Sequence, residues 1–144
     1  MKHFTLAELT RTSARDKKTF KPLANEPNAQ VVECLTALVD NVIDPLREHY
    51  GKPIRVTSGY RSKEVNERVG GAPTSQHTKG EAVDFVCEDM KATFEIIRTT
   101  LPFDQLIWEK GDNKQPQWIH VSFKKAGKNR GEVLRYNGKT YKPF

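Results

Sequence analysis

Apolar residues at Val31, Leu35, Leu38, Val42 and Leu46 recur every three or four positions, and Val32, Val39 and Ile43 widen the stripe. That period predicts an amphipathic helix from Ala29 to Tyr50 whose apolar face is core rather than a binding surface. Asn28 stands where a cap belongs, Gly51 and Pro53 stop the helix, and Pro45 inside it predicts a kink. A second helix is predicted over Asp89–Leu101, with Phe94, Ile97 and Leu101 on one face and Pro102 as its stop. Thr5-Leu6-Ala7-Glu8 has the capping-box pattern and opens a short helix in the segment Phe4–Arg15. Ser62–Val69 reads as another short helix, ended by Gly70-Gly71, and Lys17–Pro27, with two prolines, reads as irregular.

The period then shortens. Ile54–Thr57, Ala82–Val86, Gln105–Glu109 and Trp118–Phe123 are short β-rich runs and predict strands. Ser58-Gly59-Tyr60 is a turn, and Ala72–Gly80 is a loop. Lys110–Gln117 is polar, so the strands that flank it are expected to form a hairpin. Val133–Tyr136 is expected to add an edge strand, and Asn137-Gly138 to turn it into a last strand over Lys139-Thr140-Tyr141. Interspersed helices and strands joined by short turns predict an α+β fold, a mainly antiparallel sheet with helices packed against it. No linker or repeat divides the chain, so residues 1–144 are expected to form a single domain and, by default, a monomer.

Composition narrows the class. The 144 residues are 36% hydrophobic and 29% charged, enough for a core. No apolar run reaches membrane-spanning length, and the N-terminus lacks the apolar core of a signal peptide. Synthesis in the cytoplasm is therefore expected. Two cysteines do not make a disulfide scaffold; Cys34 is expected to be buried on the long helix and inert. The net charge of +6 favours an anionic partner such as cell wall, membrane surface or nucleic acid. The basic residues read as spread along the chain, densest at Arg15–Lys18 and Lys124–Arg130.

Of four histidines, His3 lies at a terminus expected to fray, and His49 suits the last turn of the long helix. His77 lies in a loop that leads into Ala82-Val83-Asp84-Phe85-Val86, and His120 interrupts Trp118-Ile119-His120-Val121-Ser122. A carboxylate or imidazole amid apolar neighbours needs a partner. A hydrogen-bonded core histidine and a salt-bridged aspartate meet that need. So does a tetrahedral zinc with three protein ligands and an open fourth position. Cys87 has the opposite strand parity to Asp84 and is not expected to join such a site.

Ser58-Gly59-Tyr60-Arg61-Ser62, Ser75-Gln76-His77, Gly80-Glu81-Ala82-Val83-Asp84 and Trp118-Ile119-His120-Val121-Ser122, in that order, resemble the zinc D-Ala-D-Ala carboxypeptidase family. That family shares a superfamily with phage L-alanyl-D-glutamate endolysins and D-Ala-D-Ala dipeptidases. The closest similarity is to short phage or prophage members, from about Phe4 to about Tyr136. The resemblance implies a metallopeptidase with one zinc per chain, held by His77, Asp84 and His120, and a peptidoglycan stem peptide as substrate. It implies that Arg61 binds or polarises the substrate, and Ser75 and Gln76 accompany it as substrate-side residues whose hydrogen bonds would hold His77 in its tautomer. Several relatives carry a glutamate or histidine base just before the last zinc histidine. Here Gln117 and Trp118 occupy those positions, and neither is a base. Glu109 is the candidate instead: across the hairpin it faces Trp118, on the same side as His120. Asp104 ranks second.

Three functions compete. The first is a peptidase that cuts stem peptides of the D-Ala-D-Ala or L-Ala-D-Glu type, meeting the wall through a holin, after lysis, or within a virion. The second is a non-catalytic zinc-containing wall-binding or phage structural module. The third, a nucleic-acid binder, is disfavoured because no recognised motif is present.

Overall fold

The computed structural model describes residues 1–144. Six strands form one sheet: β1 (Arg55–Ser58), β2 (Ala82–Val86), β3 (Gln105–Glu109), β4 (Trp118–Ser122), β5 (Glu132–Tyr136) and β6 (Tyr141–Pro143). Their order across the sheet is β1-β2-β4-β3-β5-β6. All neighbours are antiparallel except β3 and β5. The helices are α1 (Leu6–Thr10), α2 (Ala29–Leu38), α3 (Asp44–Tyr50), α4 (Lys63–Arg68) and α5 (Met90–Thr100). This is the expected α+β class. No helix is long and apolar enough to cross a membrane.

The pleat separates two faces. Val83, Phe85, Leu106, Trp108, Ile119 and Val121 join the buried side chains of α2, α3 and α5 in one core of 21 residues. The alternate positions, among them Asp84, Ile107, Glu109 and His120, look the other way. One face of the sheet is thus glued to helices, and the other is left for chemistry.

The long helix differs from its pattern. Its apolar stripe is buried from Val31 to Leu46, with Val32 half-buried, but a π-helical turn, Val39–Ile43, divides α2 from α3. Pro45 therefore falls in the first turn of α3 rather than mid-helix. The widened turn is a standard way to absorb a missing N–H and a bulky ring.

The predicted frayed terminus is tied down instead. Asp44, buried at the head of α3, accepts the backbone N–H groups of Lys2 at 2.6 Å and His3 at 3.0 Å, and Phe4 enters the core. Cys34 is half-buried rather than buried.

The C-terminal strands are also corrected. β5 is interior, not an edge; the edge is β6, which begins at Tyr141 rather than Lys139. β4 runs back to the end of the sheet where β3 begins, so the chain reaches the free side of β3 from that end and β5 runs parallel to it. The backbone N–H groups of Gly131 and Glu132 donate to the carbonyls of Phe103 and Asp104 and seat this crossover. Asn137 caps the following turn, accepting from the N–H groups of Lys139 and Thr140.

The basic charge is not evenly spread. Residues 110–144 hold nine Lys and Arg against two Asp and Glu, whereas residues 1–109 hold fifteen against sixteen. The net positive charge belongs to the last quarter of the chain.

Candidate metal centre

Antiparallel pairing sets Asp84 on β2 directly beside His120 on β4. His77 reaches the same point from a 3₁₀ turn, Gln76–Lys79, that precedes β2. The Ser75 hydroxyl starts that turn by accepting the His77 backbone N–H at 3.2 Å. Gly80 ends it in a left-handed conformation, φ +74°, where a side chain would also crowd Val31. The backbone N–H of Arg61 donates to the His77 carbonyl at 3.0 Å, so the Ser58-Gly59-Tyr60 turn and the histidine loop are locked together.

The three polar side chains converge. Asp84 Oδ1 lies 3.3 Å from His77 Nε2 and 2.9 Å from His120 Nδ1. One donor atom from each of the three falls within 4.8 Å of the others. Ligands about 2.0–2.2 Å from a tetrahedral zinc stand roughly 3.3 Å apart, so the set fits that ion with little adjustment. Cys87 is not among them; its Sγ meets the Thr93 hydroxyl at 3.4 Å.

The donor chemistry fits as well. His77 Nδ1 lies 2.7 Å from the Gly59 carbonyl, which only accepts. The proton is therefore on Nδ1, and Nε2 turns its lone pair toward Asp84 and His120. Burial lowers the His77 pKa and keeps the ring neutral, the form a metal requires. Burial alone would raise Asp84, but its hydrogen bond with the His120 ring helps hold its carboxyl well below the usual carboxylate range.

Arg61 approaches Asp84 from the β1 side. Its Nη2 is 3.6 Å from Asp84 Oδ2, its Nε donates to the Ser58 hydroxyl at 3.0 Å, and its Nη1 to Asn66 Oδ1 at 3.4 Å. Asn66 is itself buried, and its amide donates to the Ala72 carbonyl at 2.9 Å. The guanidinium is thus aimed into the site by two side chains that the sequence did not flag.

Glu109 sits where the hairpin pattern places it, opposite Trp118, with Ile107 opposite His120. The residue is 7% exposed; its carboxylate has neither hydrogen bond nor ion pair within the protein, and its oxygens reach the open cleft. Burial raises its pKa to about 7. Asp104 is a different case. Fully buried, it is clamped by Arg130 at 2.7 and 3.0 Å and by the Gln76 amide at 3.1 Å. The Arg130 hydrogen bond holds its pKa down to about 2. It is a structural anion and is not placed to be a base.

A cleft of about 660 Å³ joins these groups. Arg61, Ser75, Gln76, His77, Asp84, Glu109 and His120, the full set of sequence-predicted site residues, all line it. The tautomer of His77, however, is fixed by Gly59 rather than by Ser75 or Gln76. The Gln76 amide is spent on Glu81 at 3.3 Å and on Asp104. Of the aromatic side chains near these strands, Trp118 lines the cleft; Trp108 and Phe123 pack on the core, and Tyr60 borders a separate hollow. Tyr136 and Tyr141 line the cleft without having been anticipated. Their signal, two tyrosines flanking Asn137-Gly138, becomes readable only once β5 is known to pair with β3.

Residues 2–122 match the family model described as Peptidase M15. No curated protein matches the chain.

Proposed function

The chain belongs to the peptidase M15 family, and on that premise we propose that it is a zinc-dependent hydrolase of peptidoglycan stem peptides, cutting a D-Ala-D-Ala or an L-Ala-D-Glu bond. The observation that carries an enzymatic reading over a purely structural zinc module is Glu109. This carboxylate is largely withdrawn from bulk water, has no partner within the protein, and opens onto the cleft beside the His77–Asp84–His120 trio.

Zinc bound by His77 Nε2, Asp84 Oδ1 and His120 Nδ1 would polarise the substrate carbonyl and acidify a water. The chain's own residues supply the rest. Glu109, with a pKa near neutrality, takes a proton from the attacking water and returns it to the leaving amine. Arg61, fixed by Ser58 and Asn66, donates to the carbonyl oxygen as negative charge gathers there. Ser75 and the Gln76 carbonyl offer polar contacts to the peptide from the loop side of the cleft. In this reading the protein is a short phage-type member that reaches the wall after holin- or lysis-mediated release, or as part of a virion.

The test is mass spectrometry of purified peptidoglycan after incubation with the zinc-loaded protein, beside His120→Ala and Glu109→Gln controls. New stem-peptide products that vanish in both controls are expected, and their masses name the bond. Intact peptidoglycan from several wall chemotypes, with zinc present in the protein, would sink the reading.

A further inference from the structure

We propose that Tyr136 and Tyr141 form a substrate platform for the leaving-amine side of the scissile bond, so that the cleft selects peptides continuing past that bond as an uncharged chain. The inference rests on the peptidase reading above and adds to it which residues choose the substrate.

Register fixes the layout. On the cleft face Trp118 on β4, Glu109 on β3, Tyr136 on β5 and Tyr141 on β6 stand in one row across the sheet. His120, Ile107, Leu134 and Pro143 make the next row. The metal ligands lie at β2 and β4, Arg61 lies beyond them toward β1, and Glu109 lies between them and the tyrosines. A group that returns its proton to the leaving amine must stand on the amine side of the bond. The acyl part of the substrate therefore points toward Arg61, and the amine part passes over Glu109 onto β5 and β6.

The surface it meets there is apolar and aromatic. The two rings stack, with centroids 4.4 Å apart and planes inclined by 28°. Tyr141 is 57% exposed, an unusual state for an aromatic ring that serves only as packing. Ile107 and Leu134 floor the space beside the rings. The only cations lining the cleft are Arg61, at the opposite end, and Arg130, which Asp104 holds in a bidentate pair. No unpaired Lys or Arg is among the residues that line the cleft beside the tyrosines; Lys110 stands outside that lining, its Nζ 5.3 Å from the centre of the Trp118 ring, so a leaving group that ends in a carboxylate immediately after the bond is the poorer fit. Flat aromatic faces instead suit the aliphatic stretches of a peptide or the C–H face of a sugar. Tyr136 and Tyr141 also lie beyond residue 122, where the family match ends.

The experiment uses two synthetic peptides with the same scissile bond. One ends in a free carboxylate one residue past it; the other continues for three uncharged residues and is amidated. We expect the wild-type protein to prefer the long peptide. Tyr136→Ala and Tyr141→Ala should lower the long-to-short ratio of kcat/KM about tenfold, through KM, the size of one lost aromatic contact. Tyr141→Phe should keep the ratio. Stacking also stiffens the hairpin, but that contribution acts on both peptides alike. Ring resonances of Tyr136 and Tyr141 in the wild-type protein, followed by NMR with the long peptide, need neither turnover nor a variant that folds. Shifts with the long peptide and not the short one support the platform. An unchanged ratio, or ring signals that stay still under saturating long peptide, overturns it. If neither peptide is cut but the ring signals move, the peptidase reading fails and takes the leaving-amine assignment with it, leaving the tyrosines as a peptide-binding surface only; if both are cut and the signals do not move, the platform alone fails.

Discussion

Glu109 shows what a single residue is asked to do. Glu109→Gln keeps shape and removes the proposed base, and kcat is expected to fall by roughly 10²–10⁴-fold with zinc content unchanged, measured by peptide turnover and metal analysis. The acid limb of kcat/KM should fall at or below pH 7 in the wild type, because burial raises the carboxyl to about 7 and a nearby metal cation pulls it back down. That limb should disappear in the variant. Stability gives an independent check with the opposite sense. In metal-free protein the folded state holds the Glu109 proton up to about pH 7, whereas the unfolded chain releases it near pH 4 to 5. The neutral carboxyl is therefore tolerated at low pH, and its contribution is lost as pH rises through 7. Glu109→Gln should raise the melting temperature relative to wild type at pH 8 and leave it little changed at pH 4. Gly59 is a quieter case. An added Cβ would collide with the Leu9 carbonyl, and the shift would carry away the Gly59 oxygen that orients His77. Gly59→Ala is expected to weaken zinc binding roughly 10–100-fold, measured by chelator competition, as other losses of an outer hydrogen bond to a ligand do. Asp84 and His120 stood out because they break apolar strands, and the family resemblance joined His77 to them as a ligand set. Gly59 was not, because a carbonyl oxygen belongs to every residue and only the fold says which one faces a histidine.

At the scale of elements, the crossover into β5 depends on one buried anion. Asp104 receives the guanidinium and backbone N–H of Arg130, together with the Gln76 amide, and thereby fastens the loop 123–131 to the start of β3 and to the histidine loop. Asp104→Ala should cost roughly 2–4 kcal/mol in denaturant unfolding, since it strands several donors at once. The pH dependence follows the depressed pKa. The contribution is complete above about pH 4 and is lost as pH falls toward 2, so acid unfolding of the wild type should steepen there and that of Asp104→Asn should not. The helices and the first four strands were readable from periodicity and turn residues. The place of β5 was not: parallel pairing with β3 is a long-range choice that leaves no mark in a local window, and Val133–Tyr136 looks the same at an edge as inside a sheet. The π turn was equally hidden, because its cause, Pro45, is visible in sequence but the way the helix absorbs it is decided by packing.

For the whole molecule, the segment that carries the net charge also supplies part of the cleft, while Arg135 lies over Trp108 on the opposite face of the sheet. The last quarter of the chain, with nine basic residues against two acidic ones, contributes Arg130, Tyr136 and Tyr141 to the cleft and places Lys110 over the ring of Trp118 at 5.3 Å. An excess of positive charge in one part of the chain draws the protein toward a polyanion. Retention on purified anionic wall polymer should fall steeply between low salt and a few hundred millimolar, measured by co-sedimentation, while cleavage of a short soluble peptide changes far less. The same region has a further property. None of the side chains of β5 or β6 is fully buried, and the only strand that pairs with them is β3; beyond that seam they are held by Val133 on the core and by Phe144, whose ring lies 4.8 Å from Phe94 and 5.8 Å from Trp108. A unit with so few buried side chains is expected to open below the free energy of global unfolding. Backbone amides of Glu132–Tyr136 and Tyr141–Lys142 should exchange with deuterium much faster than those of β2 and β4. Such exchange would mean that the wall of the cleft beyond Glu109 opens while His77, Asp84 and His120 stay in the protected part of the sheet, a sideways route by which a long chain could enter the cleft.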